Sequence, residues 1–241
     1  MTPQPYIIQW NLNGISTRIR LGELQRLIKN FEPMCICLQH LGQYNTKINN
    51  YQLASESIKT DNELGTAIYV HNKITFEKIA IQNGLLQHSA TQIHLGNRKK
   101  LTICNIYNQP NYNYNISEIK NVLTSLAQPI LLLGDFNAHS PAWDENHTEA
   151  DGPGKKIEDL LEEKNMSCLN EEDAITYLSN TNGATTAIDL TLCSDAITSE
   201  FDWRVLDDRY TSDHYPILLT YLNQQKPEKE KRYKINKADW I

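Results

Sequence analysis

The sequence predicts one α/β domain, and three observations predict it. The first is the stretch from Pro129 to His139, where the apolar run Ile130–Leu133 leaves a proline and exits through Gly134 into Asp135, Asn137 and His139. A short branched apolar run reads as a strand buried on both faces, the kind an α/β sheet contains. The second is that other apolar runs break in the same way, at Asn11, His40, Tyr107, and Asp213 with His214. In open α/β folds the lip where strands end is where ligands bind. The third is that segments with helical spacing separate several of these runs.

Tyr6–Trp10 reads as the first strand and ends in Asn11-Leu12-Asn13-Gly14, two amides on one face before a glycine turn. Ser16 is the predicted cap of a helix whose apolar positions are Ile19, Leu24, Leu27, Ile28 and Phe31, stopped by Pro33. Met34–Leu38 is a second buried strand, exiting into Gln39-His40, and a polar loop leads to a third at Gly65–Val70. Ile74–Ile81 and Ala90–Leu95 read as meander strands, with a basic solvated turn at Asn97–Lys100. Leu101–Ile106 exits at Tyr107-Asn108-Gln109-Pro110, and a second helix covers about Ser117–Ala127. After the central strand and a loop from Ser140 to Gly154, a third helix covers Lys155–Lys164. Thr176–Leu178 and Ala187–Cys193 flank a turn around Asn182-Gly183, a strong hairpin signal. Phe201–Val205 and Ile217–Leu222 complete the strands, and residues 223–241 read as a polar tail.

Composition narrows the function. The chain has 241 residues and a net charge of −6, so bulk electrostatics do not draw it to nucleic acid, and a nucleic-acid substrate would have to be held by local basic patches and a metal. No apolar run is long enough to span a bilayer, and the N-terminus lacks a signal core, so an intracellular setting without membrane attachment is expected. Cys35, Cys37, Cys104, Cys168 and Cys193 are odd in number, and Cys35 and Cys37 lack the spacing of a metal clip. They read as small core hydrophobes in a reducing compartment. There is no Gly-x-Ser-x-Gly elbow, no HExxH and no phosphate loop.

Asp189 stands apart as a carboxylate inside an apolar strand, where a charge demands a partner. Ser212-Asp213-His214 puts a carboxylate beside an imidazole before a strand, which suits an orienting or proton-handling role. Taken alone, Asn11 and Asn13 also read as turn formers, Tyr107 as a core tyrosine, and His40 as a strand-end surface residue.

The ordered set is more specific than its members. Trp-Asn-Leu-Asn-Gly at 10–14, Leu-Gln-His at 38–40, Ile-Tyr-Asn-Gln-Pro at 106–110, Gly-Asp-Phe-Asn-Ala-His at 134–139, Ala-Ile-Asp-Leu-Thr-Leu at 187–192 and Ser-Asp-His-Tyr-Pro-Ile at 212–217 resemble the endonuclease/exonuclease/phosphatase superfamily. Within it the set is most similar to the apurinic-endonuclease-like domains of jockey-type non-LTR retrotransposons. The resemblance covers residues 6–222, so residues 1–222 form the expected domain. Asn236–Trp240 looks like the start of a connector to a reverse transcriptase.

The resemblance implies a four-layer α/β sandwich of two facing mixed β-sheets flanked by helices. It implies a nick in double-stranded DNA, made in the nucleus, that leaves a 3′-hydroxyl to prime reverse transcription. By motif, Asn11 and Asn137 would hold the phosphate, the nucleophile or the water shell of a metal, and Asp135 would position or deprotonate water. Tyr107 would donate to the phosphate, Asp189 would orient His214 onto a phosphate oxygen, and Asp213 would join the metal network. Asn13 and His40 fall at the metal corner. Thr176 and Ser212 resemble DNA-backbone contacts, and the hairpin carrying Asn182 would reach into a groove.

One position departs from the pattern. The family places a glutamate, its main ligand for Mg²⁺, where this chain has His40. Mg²⁺ prefers hard oxygen donors. Three readings stay open: a catalytically impaired DNA-binding or targeting module, a preference for Mn²⁺ or another imidazole-tolerant ion, or substitution by a nearby carboxylate such as Glu63. A phosphatase or phosphodiesterase of the same fold is the third function class.

Overall fold

A computed structural model describes residues 3–14, 18–42, 47–57, 65–80, 86–96, 99–109 and 115–222. In chain order the elements are β1 (Gln4–Asn11), α1 (Arg18–Phe31), β2 (Pro33–Gln39), β3 (Tyr51–Glu56), β4 (Thr66–His71), β5 (Phe76–Lys78), β6 (Gln87–His94) and β7 (Lys100–Tyr107). They continue with α2 (Ile116–Ser125), β8 (Ile130–Asp135), α3 (Gly152–Lys164), β9 (Met166–Cys168), β10 (Tyr177–Leu178), β11 (Thr185–Thr186), β12 (Asp189–Ser194), a 3-10 helix (Asp195–Glu200), β13 (Phe201–Val205) and β14 (Ile217–Tyr221).

The strands form two six-stranded mixed sheets, β13-β14-β1-β2-β4-β3 and β5-β6-β7-β8-β12-β9, plus the small hairpin β10-β11. The layering follows from which side chains share a core. Leu131 and Leu133 of β8 meet Cys35, Cys37, Ile68 and Val70 of the first sheet between the two sheets. Ile130 and Leu132, on the other face of β8, pack with Ile119 and Leu123 of α2 and Ile157 and Leu160 of α3. Ile36 and Leu38 of β2 turn outward to Leu24 and Leu27 of α1. The result is the expected four-layer sandwich, α1 on one outer face and α2 with α3 on the other. It also explains the unbroken apolar run of β8, since alternate residues serve different cores. Each of these fully buried leucines contributes about 1.5–3 kcal/mol.

The space between the sheets is not wholly apolar. Gln9 Nε2 donates to Gly134 O at 3.1 Å, and Thr191 Oγ1 donates to Gln9 Oε1 at 2.9 Å. Gln39 Nε2 donates to Asn105 Oδ1 at 2.6 Å, and Asn105 Nδ2 donates to Leu38 O at 2.9 Å. These buried amides bridge facing sheets and fix their relative register.

Several expectations are corrected. The polar loop before β4 contains the edge strand β3, and β9 and the 3-10 helix were not anticipated. Their patterns are too short or too polar for periodicity to register. The meander strand of Ile74–Ile81 shrinks to β5. Helix α3 starts at Gly152, because Asp151 caps it, accepting from Gly154 N at 2.6 Å, and Pro153 suits its first turn. Ile19 is 66% exposed, not inward. The Ser16 cap, Glu63, Asn97, Arg98 and residues 223–241 lie outside the described residues. No helix among the described residues is long and apolar enough to cross a membrane.

Candidate active site

Strand register assembles the site. In the second sheet Tyr107 on β7 pairs with Asp135 on β8, and Asp135 pairs with Asp189 on β12. Directly paired residues share a face, so three chemically capable side chains stand in a row at the end of one sheet. In the first sheet Asn11 pairs with Gln39, one residue before His40. Trp10 Nε1 donates to His214 O at 3.1 Å and Ser212 Oγ donates to Asn11 O at 2.8 Å, which moors the 212–214 segment beside β1.

Hydrogen bonds knit these ends together. Asn11 Nδ2 donates to Asp135 Oδ2 at 2.8 Å across the two sheets. Asp135 Oδ1 accepts from the Asn137 amide at 3.0 Å. Asn13 Nδ2 donates to Asp213 Oδ2 at 2.7 Å. His214 Nδ1 lies 2.8 Å from Asp189 Oδ2, and both residues are buried. His40 stacks on Tyr107 with centroids 5.5 Å apart and 26° between planes, its Nδ1 3.4 Å from the phenol oxygen. Asn13, His40 and Asn137 all hold positive φ, 48°, 53° and 45°. Asparagine tolerates that region; histidine there is less common.

The electrostatics follow from burial and charge. Burial alone would lower the His214 pKa, but Asp189, then Asp135 and Asp213, override it and hold His214 up at about 9, a cation at neutral pH. Burial, with the Asp189 charge beside it, pushes Asp135 up to about 7, despite the opposing His214 cation and the Asn137 and Asn11 donors. Burial also raises Tyr107, helped by the Asp135 charge, so its hydroxyl keeps its proton. Burial and the His214 charge push His40 down to about 4, leaving a neutral imidazole.

Asp135, Asp189 and His214 each have one N or O atom within 4.8 Å of the others, but the protonated His214 offers no lone pair, so the two carboxylates are the donors there. Asp189 Oδ1 is buried without a hydrogen-bond partner. An orphaned carboxylate oxygen beside a second buried carboxylate fits a nearby cation. The adjoining corner of Asp213, Asn13 and His40 offers a carboxylate, an amide and a neutral nitrogen. That mixed set suits a divalent ion that accepts nitrogen, Mn²⁺ ahead of Mg²⁺.

Asn11, Asn13, His40, Tyr107, Asp135, Asn137, Asp189, Asp213 and His214 thus meet at one edge of the sandwich. Thr176 and Ser212 are placed differently from the DNA contacts expected of them. Thr176 is fully buried, its hydroxyl accepting from the amides of Ile188 and Asp189 at 3.1 and 3.0 Å. Ser212 is buried and its Oγ accepts from the His214 amide at 3.1 Å. Both hold Asp189 and His214 in place. Asn182 is exposed in the β10–β11 hairpin. The hairpin is tied to the site, since Leu178 N donates to Asp213 O at 2.9 Å and the Tyr177 ring lies 4.8 Å from that of His214. Asn108 was missed. It is buried, its carbonyl accepts from Asn137 Nδ2 at 2.7 Å, and its own side chain donates to Phe136 O at 2.8 Å. Its place directly after Tyr107 was the available signal.

Residues 101–218 match the family model described as endonuclease-reverse transcriptase. Among solved structures, the chain is similar to the endonuclease domain of TRAS1, a telomere-specific non-LTR retrotransposon, at 22% identity and TM-score 0.76, covering 92% of this chain and all of that one. It is similar to the catalytic domain of Xenopus laevis APE2 at 18% identity and TM-score 0.69, over 90% and 91% of the two chains. It is similar to an AP endonuclease from Archaeoglobus fulgidus at 17% identity and TM-score 0.62, over 90% and 98%. No curated protein sequence matches it. The chain has the endonuclease/exonuclease/phosphatase fold, and over residues 101–218 its sequence is similar to the endonuclease-reverse transcriptase family.

Proposed function

We propose that this chain is a divalent-metal-dependent endonuclease that nicks double-stranded DNA in the nucleus to leave a 3′-hydroxyl, as the endonuclease part of a jockey-type non-LTR retrotransposon polyprotein that also carries a reverse transcriptase. The observation that carries the reading is the pairing of two buried dyads, Asn11 with Asp135 and Asp189 with His214, across one sheet edge. A base poised near neutrality beside a buried cation is what phosphodiester hydrolysis requires.

In this reading Asp135 takes a proton from water, and the water oxygen bonds to phosphorus. The protonated His214 and the Tyr107 hydroxyl face the phosphoryl oxygens and stabilise their charge. The P–O3′ bond breaks, O3′ takes a proton from solvent, Asp135 returns its proton to solvent, and a 5′-phosphate remains. Asn11 and Asn137 hold Asp135 and the phosphate in line. Asp213, Asn13 and His40 would hold the cation, which when bound adds Lewis-acid stabilisation of the same oxygens. The exposed hairpin around Asn182 would lie in a groove and bias target choice.

The test is nicking of a supercoiled plasmid in Mg²⁺ and in Mn²⁺ by the native chain, Asp135→Asn and His40→Glu. Activity that falls roughly 10²–10⁴-fold in Asp135→Asn supports the reading. No nick by native chain or by His40→Glu in either ion sinks it. A second reading, a DNA-binding module that does not cleave, is favoured by the neutral His40 at the metal corner. It requires cleavage by His40→Glu alone, with salt-sensitive DNA binding by both forms.

A further inference from the structure

A second cluster of metal-ligating side chains lies outside this site. His139, Asp144 and His147 belong to the loop between β8 and α3, and one ligating atom from each falls within 4.8 Å of the others. We propose that these three residues form a binding site for a transition-metal cation of the Zn²⁺ class, which fastens the loop to the base of the β10–β11 hairpin.

The loop is built to hold the three donors without an ion. Trp143 is fully buried and its Nε1 donates to Ala138 O at 3.3 Å. The amides of Trp143 and Asp144 both donate to Ser140 O, at 3.3 and 3.1 Å, and His147 N donates to Asp144 O at 3.1 Å. His139 N donates to Asp151 Oδ1 at 3.2 Å, and Asp151 N returns a bond to His139 O at 2.9 Å. Gly154 permits this closeness, since a Cβ there would sit 1.9 Å from His139 O.

The carboxylate is buried and its Oδ2 accepts from Thr186 Oγ1 at 2.8 Å and Ala187 N at 2.9 Å. Thr186 has a single hydroxyl proton, and a carboxylate only accepts. His139 Nδ1, 3.0 Å from the same hydroxyl, must therefore be the donor, which leaves a lone pair on Nε2. A hydrogen-bonded Nδ1 that fixes the tautomer is what a ligating histidine needs. His147 Nδ1 lies 3.2 Å from Asp144 Oδ2 yet is buried with no hydrogen bond. The two rings have centroids 4.6 Å apart. Two imidazoles sharing one tetrahedral ion at Zn–N distances would have centroids about 5 Å apart. The rings are stacked with 28° between their planes, so coordination requires the His147 ring, with 31% of its side chain exposed, to rotate until its in-plane lone pair meets that of His139. Two imidazoles and one carboxylate select a borderline ion over Mg²⁺ or Ca²⁺, with a fourth position left to solvent.

The consequence is mechanical. Thr186 ends β11, and Leu178 on β10 is bonded to Asp213. An ion here would clamp the β11 end of the hairpin through Thr186. The experiment uses the full chain, stripped with chelator and titrated with Zn²⁺ against a chromophoric competitor, and with Co²⁺ read by visible absorption. The expected result is one tight equivalent with a tetrahedral Co²⁺ spectrum and a rise in Tm, unchanged in Asp135→Asn and weakened roughly 100-fold in His147→Ala. Far-UV circular dichroism establishes that the half-exposed His147→Ala variant is folded. No stoichiometric binding by the native chain overturns the proposal, whatever the variant does. So does binding that survives His147→Ala or disappears with Asp135→Asn, which would put the ion at the active site.

Discussion

Asp189→Asn isolates the electrostatic part of the site. The native carboxylate sits 2.8 Å from His214 Nδ1 and leads the groups that lift His214 from its ordinary 6.5 to about 9. That difference corresponds to about 3 kcal/mol of preference for the folded, protonated form. Because the folded pKa lies above the unfolded one, the stabilisation is complete below pH 6.5 and is lost as pH rises through 9. An asparagine oxygen still accepts from Nδ1, so the variant should lose about 2–3 kcal/mol at pH 7 rather than more. For a chain of this size that is a Tm lower by roughly 4–12 °C. The loss should shrink sharply by pH 10, where His214 is neutral in both forms. The assay is thermal unfolding of chelator-treated protein at pH 7 and pH 10, with the His214 imidazole titration followed by NMR. Equal destabilisation at both pH values would refute the argument and assign the loss to packing. An imidazole that still titrates near 9 in the variant would refute it independently.

Other outcomes follow from the same geometry. The nicking rate should need ionised Asp135 and protonated His214, giving a bell with limbs near 7 and 9; a bound cation moves the acid limb lower, and Asp189→Asn should bring the basic limb down. Gly134→Ala should destabilise by at least about 2 kcal/mol in denaturant titration, because φ is +144° and a Cβ would stand 1.9 Å from Ile106 O. Leu132→Ala should cost about 2–5 kcal/mol, since the side chain is fully buried between the second sheet and its helices. Replacing Asn182 by Ala should alter which plasmid sites are nicked while leaving the Tm within about 2 °C, as the turn is exposed and Gly183, at φ +72°, is kept; unchanged site choice would remove Asn182 from target selection.

What could be read from the sequence depended on how many layers a segment serves. Strand β8 was legible because both its faces are buried, which makes composition alone sufficient. Asp189 was legible because a charge in an apolar strand demands a partner. Strand β3 was not, since an edge strand with one half-exposed face resembles a polar loop. The hydroxyls of Thr176 and Ser212 were misplaced because nothing in the local sequence says whether a small polar group turns toward solvent or toward backbone amides. That is decided by the register of strands distant in the chain. The His139–Asp144–His147 group was invisible for a related reason. Its spacing follows a loop path set by the burial of Trp143 and the cap at Asp151, and no periodicity describes such a path.

The same logic says what His40 can and cannot change. The end of β2 is fastened to the turn after β1 by backbone alone: Leu12 N donates to Gln39 O at 3.0 Å, and Gly14 N donates to His40 O at 2.7 Å. The positive φ at residue 40 burdens a glutamate somewhat more than a histidine. Among the described residues, the side chain stacks on Tyr107 and makes a long 3.4 Å approach to the phenol oxygen. His40→Glu should therefore fold with stability within about 1 kcal/mol of the native chain in chelator. Its new carboxylate, set among Asp213, Asp135 and Asp189, should destabilise the empty site slightly and make the Tm rise with Mg²⁺ more than the native chain does. A variant that unfolds, or one whose Mg²⁺ response equals that of the native chain, would show that residue 40 is part of the scaffold and not of the metal corner.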